Sequence, residues 1–367
     1  MKDNILSQMK TLVKTESNNL SAINENLQIK PKSFFNKYEH LRITTSKPID
    51  TPIPVISIND SIISTPGNIT MLSGESKSGK TALTGAIIAG AIIENDFSSY
   101  DGFELLKILP NINRKAVIQI DTEQARHNHY KNFKSILKRV NLSNEPNYFF
   151  SYNIRELDLK ERQLFIEELF LLCENKCGGV HLAVIDGIAD LINSPNDEEE
   201  SNKIVAFLEK LAIKYNCPII VIIHFNPKSD KQRGHLGSQL QRKSESVIAI
   251  RKNGDTSYIE PQFLRSAGHS DFSLIQFYYD KEKGYHVSNG IYLKEDKESE
   301  KIEELEKMAK EIFNYSVPIS HSTAIDKIMK LGNVKISTAK NRLKSMLELE
   351  LISKEGKAGY KLALTPD

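Results

Sequence analysis

The run Gly74-Glu75-Ser76-Lys77-Ser78-Gly79-Lys80-Thr81 spells G-x-x-x-x-G-K-T, a spacing that constrains this chain more than any other feature. Its glycines let backbone N–H groups curl around an anion, Lys80 extends as a point charge toward outer phosphates, and the Thr81 hydroxyl is placed to meet Mg²⁺. A short β-prone run, 68–73, precedes the loop and an apolar helical pattern, 81–93, follows it. The segment therefore predicts strand, loop and helix, with the positive helix N-terminus facing phosphate. The ligand expected is a nucleoside triphosphate such as ATP, with Mg²⁺.

At 367 residues the chain is long enough for a full α/β core and a smaller second domain. A formal charge of +2 excludes a globally basic nucleic-acid coat, so any DNA contact must come from a local patch. Cys173, Cys177 and Cys217 suit a reducing compartment, and the spacing of the first two on an apolar helical pattern points to packing rather than metal. There is no signal peptide and no apolar stretch of about 18 residues, so the expectation is a cytoplasmic protein with no membrane contact.

Four regions are expected: 1–50, a helical and extended N-terminal segment; 51–290, an α/β domain; 291–301, a charged linker; and 302–367, a small C-terminal domain. Strands are predicted at 69–72, 116–120, 148–152, 182–185 and 219–223, separated by amphipathic stretches that suit helical crossovers in a parallel sheet. Further apolar runs at 246–250, 257–264 and 273–279 leave no room for helices between them. The sheet should finish in antiparallel strands or a hairpin.

The run His181-Leu182-Ala183-Val184-Ile185-Asp186 has the form of a strand delivering a metal-binding aspartate, so Asp186 is expected beside Thr81 in the Mg²⁺ shell. The next residue is Gly187 and not a glutamate, so a water-activating carboxylate must come from elsewhere. Glu123, in Ile118-Gln119-Ile120-Asp121-Thr122-Glu123, is the leading candidate, with Asp121 and Asp190 as rivals. The run 219–223 delivers His224 to a strand end, where it could sense a γ-phosphate or serve as a structural hydrogen-bonder.

This order of motifs resembles the RecA-like ATPase core, and most closely the RepA-type and DnaB-type hexameric helicases, over about 68–280. The resemblance implies a RecA-like P-loop NTPase core in a homo-oligomeric ring, a hexamer, with nucleotide between subunits and an arginine finger from a neighbour. Arg265, in Gln262-Phe263-Leu264-Arg265, occupies the matching position. Phe263 stands where DnaB-type rings carry a lysine, which keeps Arg251 and Lys252 as alternatives. Loops facing the channel of such rings bind single-stranded DNA, which here implies Lys228, Lys231, Arg233, Arg242 and Lys243, a cluster that also reads as a solvated loop.

Beyond the linker, the apolar positions 302, 305, 308, 309, 312 and 313 line one helical face. A second helix is predicted over 323–331, and a third, capped by Ser337 or Thr338, to about 349. Two short strands follow around Gly356 and Gly359. Together they resemble a winged helix-turn-helix, with Lys340, Asn341, Arg342 and Lys344 turned outward to read duplex DNA and Lys354, Lys357 and Lys361 on the wing. Such modules also dock proteins. Two functions compete: an ATP-dependent DNA helicase or translocase in replication of a plasmid or mobile element, as the RepA resemblance implies, or a DNA-bound regulatory ATPase in which nucleotide switches assembly or partner choice and no strand is separated.

Overall fold

The structure is a computed structural model and describes residues 35–97, 103, 105–225, 234–266, 272, 274–292, 297–356 and 358–363. The chain divides into two units, 1–53 and 54–367. In the first, a helical turn at 35–38 runs into a 3-10 turn at Glu39–Leu41, where Arg42 pairs with Glu39 at 3.2 Å. Residues 1–34 of the helical and extended segment expected at the N-terminus lie outside the described residues.

The second unit opens with β1 (Ile56–Ile58) and β2 (Ser61–Ser64), an antiparallel pair leading into β3 (Ile69–Gly74), every residue of which is buried. Helix α1 (Lys80–Ala91) is apolar around its whole circumference, and β4 (Leu106–Ile108) then returns to pair with β1. The chain continues through β5 (Ala116–Asp121), α2 (Arg126–Arg139), β6 (Phe149–Asn153), α3 (Leu159–Cys177) and β7 (Val180–Asp186). After α4 (Glu198–Lys214), β8 (Ile219–His224) and α5 (Gly234–Lys243) come β9 (Ser246–Asn253), β10 (Thr256–Leu264), β11 (Ile275–Asp280) and β12 (Tyr285–Ile291).

These strands form a nine-stranded sheet in the order β12-β11-β10-β9-β3-β8-β7-β5-β6. From β9 to β6 every neighbouring pair is parallel, and β10 to β12 add an antiparallel meander. The protein is thus α/β with a large, mostly parallel sheet. Runs such as Ile219-Ile220-Val221-Ile222-Ile223 are buried on both faces, because helices cover both sides of a parallel sheet. One core packs α1 and α2 on one face, around Leu83, Ile88 and Ile136. A second packs α3 and α4 on the other, around Phe170, Ile204 and Leu208. Local signals set the helix ends: Asp158 and Glu161 form a capping box at the start of α3, and Asp197 caps α4 by accepting from the Glu200 N–H.

The predicted runs all fall on strands, but β9 is the last parallel strand rather than the first antiparallel one. The short β1, β2 and β4, and the polar, half-exposed β12, were not expected from the sequence. Their pattern is too brief or too polar to stand out.

The C-terminal part has its own core, around Leu305, Ile312, Ile328, Leu343 and Met346. It consists of α6 (Lys297–Ile312), α7 (His321–Gly332), α8 (Ile336–Glu348) and the antiparallel hairpin of β13 (Ile352–Glu355) with β14 (Gly359–Leu362). Helix α6 takes over part of the segment expected as linker. Ser320 caps α7, whereas α8 begins earlier than expected, with Lys335 at its N-cap position and no side-chain cap from Ser337 or Thr338. Among the described residues no helix is long and apolar enough to cross a membrane.

Candidate functional site

Parallel register carries the ends of neighbouring strands to one edge of the sheet. Gly74 of β3 lies beside His224 of β8, and Asp186 of β7 lies beside Asp121 of β5. Because β8 stands between β3 and β7, four strand ends meet in a row. This edge, at the carboxyl ends of the strands, is where open α/β sheets bind ligands.

The loop after β3 turns on Gly79, whose φ of +100° lies in the left-handed region; a Cβ there would stand 2.7 Å from the Phe277 ring of β11. Glu75, Ser76 and Lys77 are exposed, whereas Ser78 and Lys80 are buried. Lys80 Nζ donates to the carbonyls of Gly74, at 2.9 Å, and Glu75, at 2.6 Å, which holds the loop as a closed hollow. Among the described residues the Ser78 hydroxyl is buried without a protein partner, and no side chain caps the N-terminus of α1. Both features fit a loop whose donors are kept for an anion.

Lys80 Nζ also lies 3.2 Å from His224 Nδ1, and His224 Nε2 lies 3.1 Å from Glu123 Oε2. An ammonium can only donate, so Nδ1 accepts and the Nε2–H is left to donate to Glu123. The three side chains form one chain of contacts from the loop to the carboxylate. The sequence placed Lys80 in the loop and Glu123 and His224 at strand ends but carried no signal of these contacts.

The competing carboxylates are separated by their partners. Asp121 Oδ1 accepts from the backbone N–H of Glu123, at 3.0 Å, and of Gln124, at 2.8 Å, while Oδ2 accepts from His129 Nδ1 at 3.2 Å. Asp121 therefore shapes the turn that carries Glu123. Asp190 Oδ2 accepts from Thr122 Oγ1 at 3.0 Å, which ties that carboxylate to the same turn. Glu123 is about one-third exposed and has the His224 ring as its partner. His129 and Thr122, unremarked in the sequence, are the supports that set it.

Burial is the first cause that pushes the Asp186 carboxyl up to about 7, with Asp121 and Glu123 adding like charge. Burial likewise lowers Lys80 below the usual lysine range, against the attraction of Asp186, Glu123 and Glu75. A cation beside Asp186 would relieve the repulsion. Among the described residues no group of three or more His, Cys, Asp or Glu could hold a metal. Thr81 and Asp186 offer two oxygens, a set that suits Mg²⁺, which binds through one or two protein ligands and takes the rest from phosphate and water.

Arg251 Nε pairs with Glu260 Oε2 at 2.9 Å, and its guanidinium lies 5.2 Å from the Phe225 ring centroid, so it is engaged within its own chain. Lys252 is exposed near the end of β9. Arg265 is exposed just past β10, whose Leu264 pairs with Ser246 at the start of β9. That is the edge opposite Gly74, so Arg265 faces away from its own chain's loop.

Of the basic loop, Lys228, Lys231 and Arg233 lie outside the described residues. Arg242 donates to Gln239, and Lys243 pairs with Glu209 at 3.4 Å. On α8, Lys340, Asn341 and Lys344 are exposed, the last paired with Glu348 at 3.4 Å. Arg342 corrects the expectation: it folds inward to pair with Glu304 at 2.7 Å and is 20% exposed, so it braces α8 against α6 instead of facing outward. Lys357 lies outside the described residues, Lys354 is exposed, and Lys361 pairs with Glu355 at 2.8 Å. No protein-family model matches this chain, and no curated protein matches it in sequence.

Proposed function

We propose that this chain is a RecA-like P-loop ATPase that works as an ATP-dependent DNA helicase or translocase, in a hexameric ring of the RepA and DnaB type. The observation that carries this reading is the linked set Lys80–His224–Glu123 beside Asp186, where the loop after β3 meets the ends of β8, β7 and β5. The three C-terminal helices and hairpin support a winged helix-turn-helix with Lys340, Asn341 and Lys344 toward DNA.

In this reading Lys80 leaves the Gly74 and Glu75 carbonyls for the outer phosphates, and the N-terminus of α1 takes the remaining charge. Mg²⁺ held by Thr81 and Asp186 supplies further neutralisation of the phosphates. Glu123 takes a proton from the water that attacks the γ-phosphate, and His224 holds the carboxylate in place. Because Arg265 faces away from its own loop, it acts on a neighbour's nucleotide. Replication of a plasmid or mobile element is the setting that the RepA resemblance offers.

The test is the rate of ATP hydrolysis with and without single-stranded DNA, with particle mass measured in a non-hydrolysable nucleotide. A ring whose turnover rises many-fold with DNA, and which unwinds a forked duplex, supports the motor. Slow turnover indifferent to DNA supports the regulatory switch. Absence of nucleotide binding sinks both.

A further inference from the structure

Helix α2 follows directly on the turn that carries Glu123, and its sequence, RHNHYKNFKSILKR, contains no carboxylate. Arg126, Lys131, Lys134 and Lys138 are exposed on it, and among the described residues none of the four is in an ion pair. With four exposed cations and no carboxylate, the outer side of α2 is a positive face.

Aromatic rings lie beside it. Tyr130, 59% exposed, stacks on Phe133 with centroids 6.4 Å apart and planes at 18°, and Phe133 stacks on Phe149 at 5.5 Å and 11°. The stack is anchored in the core at Phe149 and ends in the open ring of Tyr130. Across from it, Tyr152 meets Phe165 edge-on at 5.2 Å. Between the two pairs lies a cavity of about 500 Å³, with Arg126, Asn153 and Glu156 among its polar walls. Rings open for stacking beside unpaired cations suit a strand with unstacked bases and a charged backbone.

The cavity also touches the support of Glu123. His129, on its wall, binds Asp121 through Nδ1 and Ser151 Oγ through Nε2 at 2.8 Å. Asn153, another wall residue, donates to the Gln124 carbonyl at 2.9 Å. A ligand that shifts these side chains shifts the turn from Asp121 to Gln124.

We propose that α2 and this cavity form a single-stranded nucleic acid site, with phosphates along Arg126, Lys131 and Lys134 and a base stacked on Tyr130, whose occupancy is relayed to Glu123 through His129 and Asp121. The binding stands on its own observations; the relay rests on the ATPase reading above.

The experiment uses the full chain and a fluorescent oligothymidylate of about 20 nucleotides, long enough to span one such site. Anisotropy is read across a salt series without ATP, and ATP hydrolysis is then read with and without the oligonucleotide. Lys131→Glu with Lys134→Glu should weaken binding at least about tenfold and reduce the salt slope by about 2, and Tyr130→Ala should weaken it about tenfold. Lys210→Glu, on the exposed face of α4, should change neither. The Lys131/Lys134 variant should keep basal hydrolysis and lose its stimulation by DNA. Wild-type affinity in that variant and in Tyr130→Ala, or equal displacement of the oligonucleotide by polyglutamate or by free thymidine monophosphate, overturns the site. Weakened binding with full stimulation at saturating DNA overturns the relay. A wild-type chain that binds the oligonucleotide but not ATP removes the ATPase reading and leaves the binding test intact.

Discussion

Glu123 lies over the bare α-carbon of Gly187: a Cβ added there would stand 2.7 Å from Glu123 Cγ and overlap Thr122 Oγ1. The space beside Asp186 that a side chain at 187 would fill is taken by a glutamate from the next strand. The absence of an acid after Asp186 and the presence of Glu123 are one arrangement.

Gly187→Ala should therefore disturb folding and chemistry together. Its φ of +89° is strained for alanine and the added methyl group meets Thr122, so urea unfolding should show a loss of at least about 2 kcal/mol. Nucleotide binding through Lys80 should survive while turnover falls. Unchanged stability and turnover would show that the turn yields freely.

The two acidic residues of that turn should differ in kind. Glu123→Gln should melt as wild type, bind ATP and hydrolyse it slower by about 10²-fold. Asp121→Asn loses one acceptor oxygen from a carboxylate that accepts two backbone N–H groups and His129, and should cost about 1–3 kcal/mol in thermal unfolding. If Asp121→Asn folds normally and alone abolishes turnover, the base is Asp121.

Asp186 predicts a pH dependence in the absence of Mg²⁺ and nucleotide. Its folded pKa, about 7, lies above the unfolded value of 3.8, so the folded state holds the proton more tightly. The stability this contributes is present below the unfolded pKa and is lost as pH rises through the folded one. Asp186→Asn should then stabilise the protein at pH 8 by at most about 4 kcal/mol and at pH 5 by less than half as much, because the loss begins at the unfolded value and is complete only above the folded one. The same variant should lose Mg²⁺-dependent hydrolysis. An equal shift at both pH values would show that the carboxyl is not held protonated.

Arg265→Ala should bind ATP nearly as wild type and lose hydrolysis by about 10³-fold, the scale of an arginine finger. Lys80→Ala should lose tight nucleotide binding. Rings mixed from the two variants should regain part of the activity, because some boundaries then join an intact loop to an intact arginine. No rescue in rings shown to be mixed, or rescue by Arg251→Ala in its place, would move the finger off Arg265.

The sequence by itself determined the strand, loop and helix around Lys80 and the apolar runs that became the parallel strands. Those features are local: a left-handed glycine, a helix N-terminus and an unbroken Val/Ile run each depend on a few neighbouring residues. Asp186 and His224 were legible for the same reason, as polar residues closing apolar runs. Only the tertiary structure decided which carboxylate turns to the loop, because Asp121, Glu123 and Asp190 look alike in sequence and differ only in their partners. The backbone turn and His129 occupy Asp121, Thr122 holds Asp190, and His224, 101 residues away in the chain, meets Glu123. Likewise Arg342 carried the same outward pattern as Lys340 until Glu304 of a neighbouring helix drew it inward. Long-range ion pairs depend on register and packing between elements, and one chain's residue pattern does not contain them.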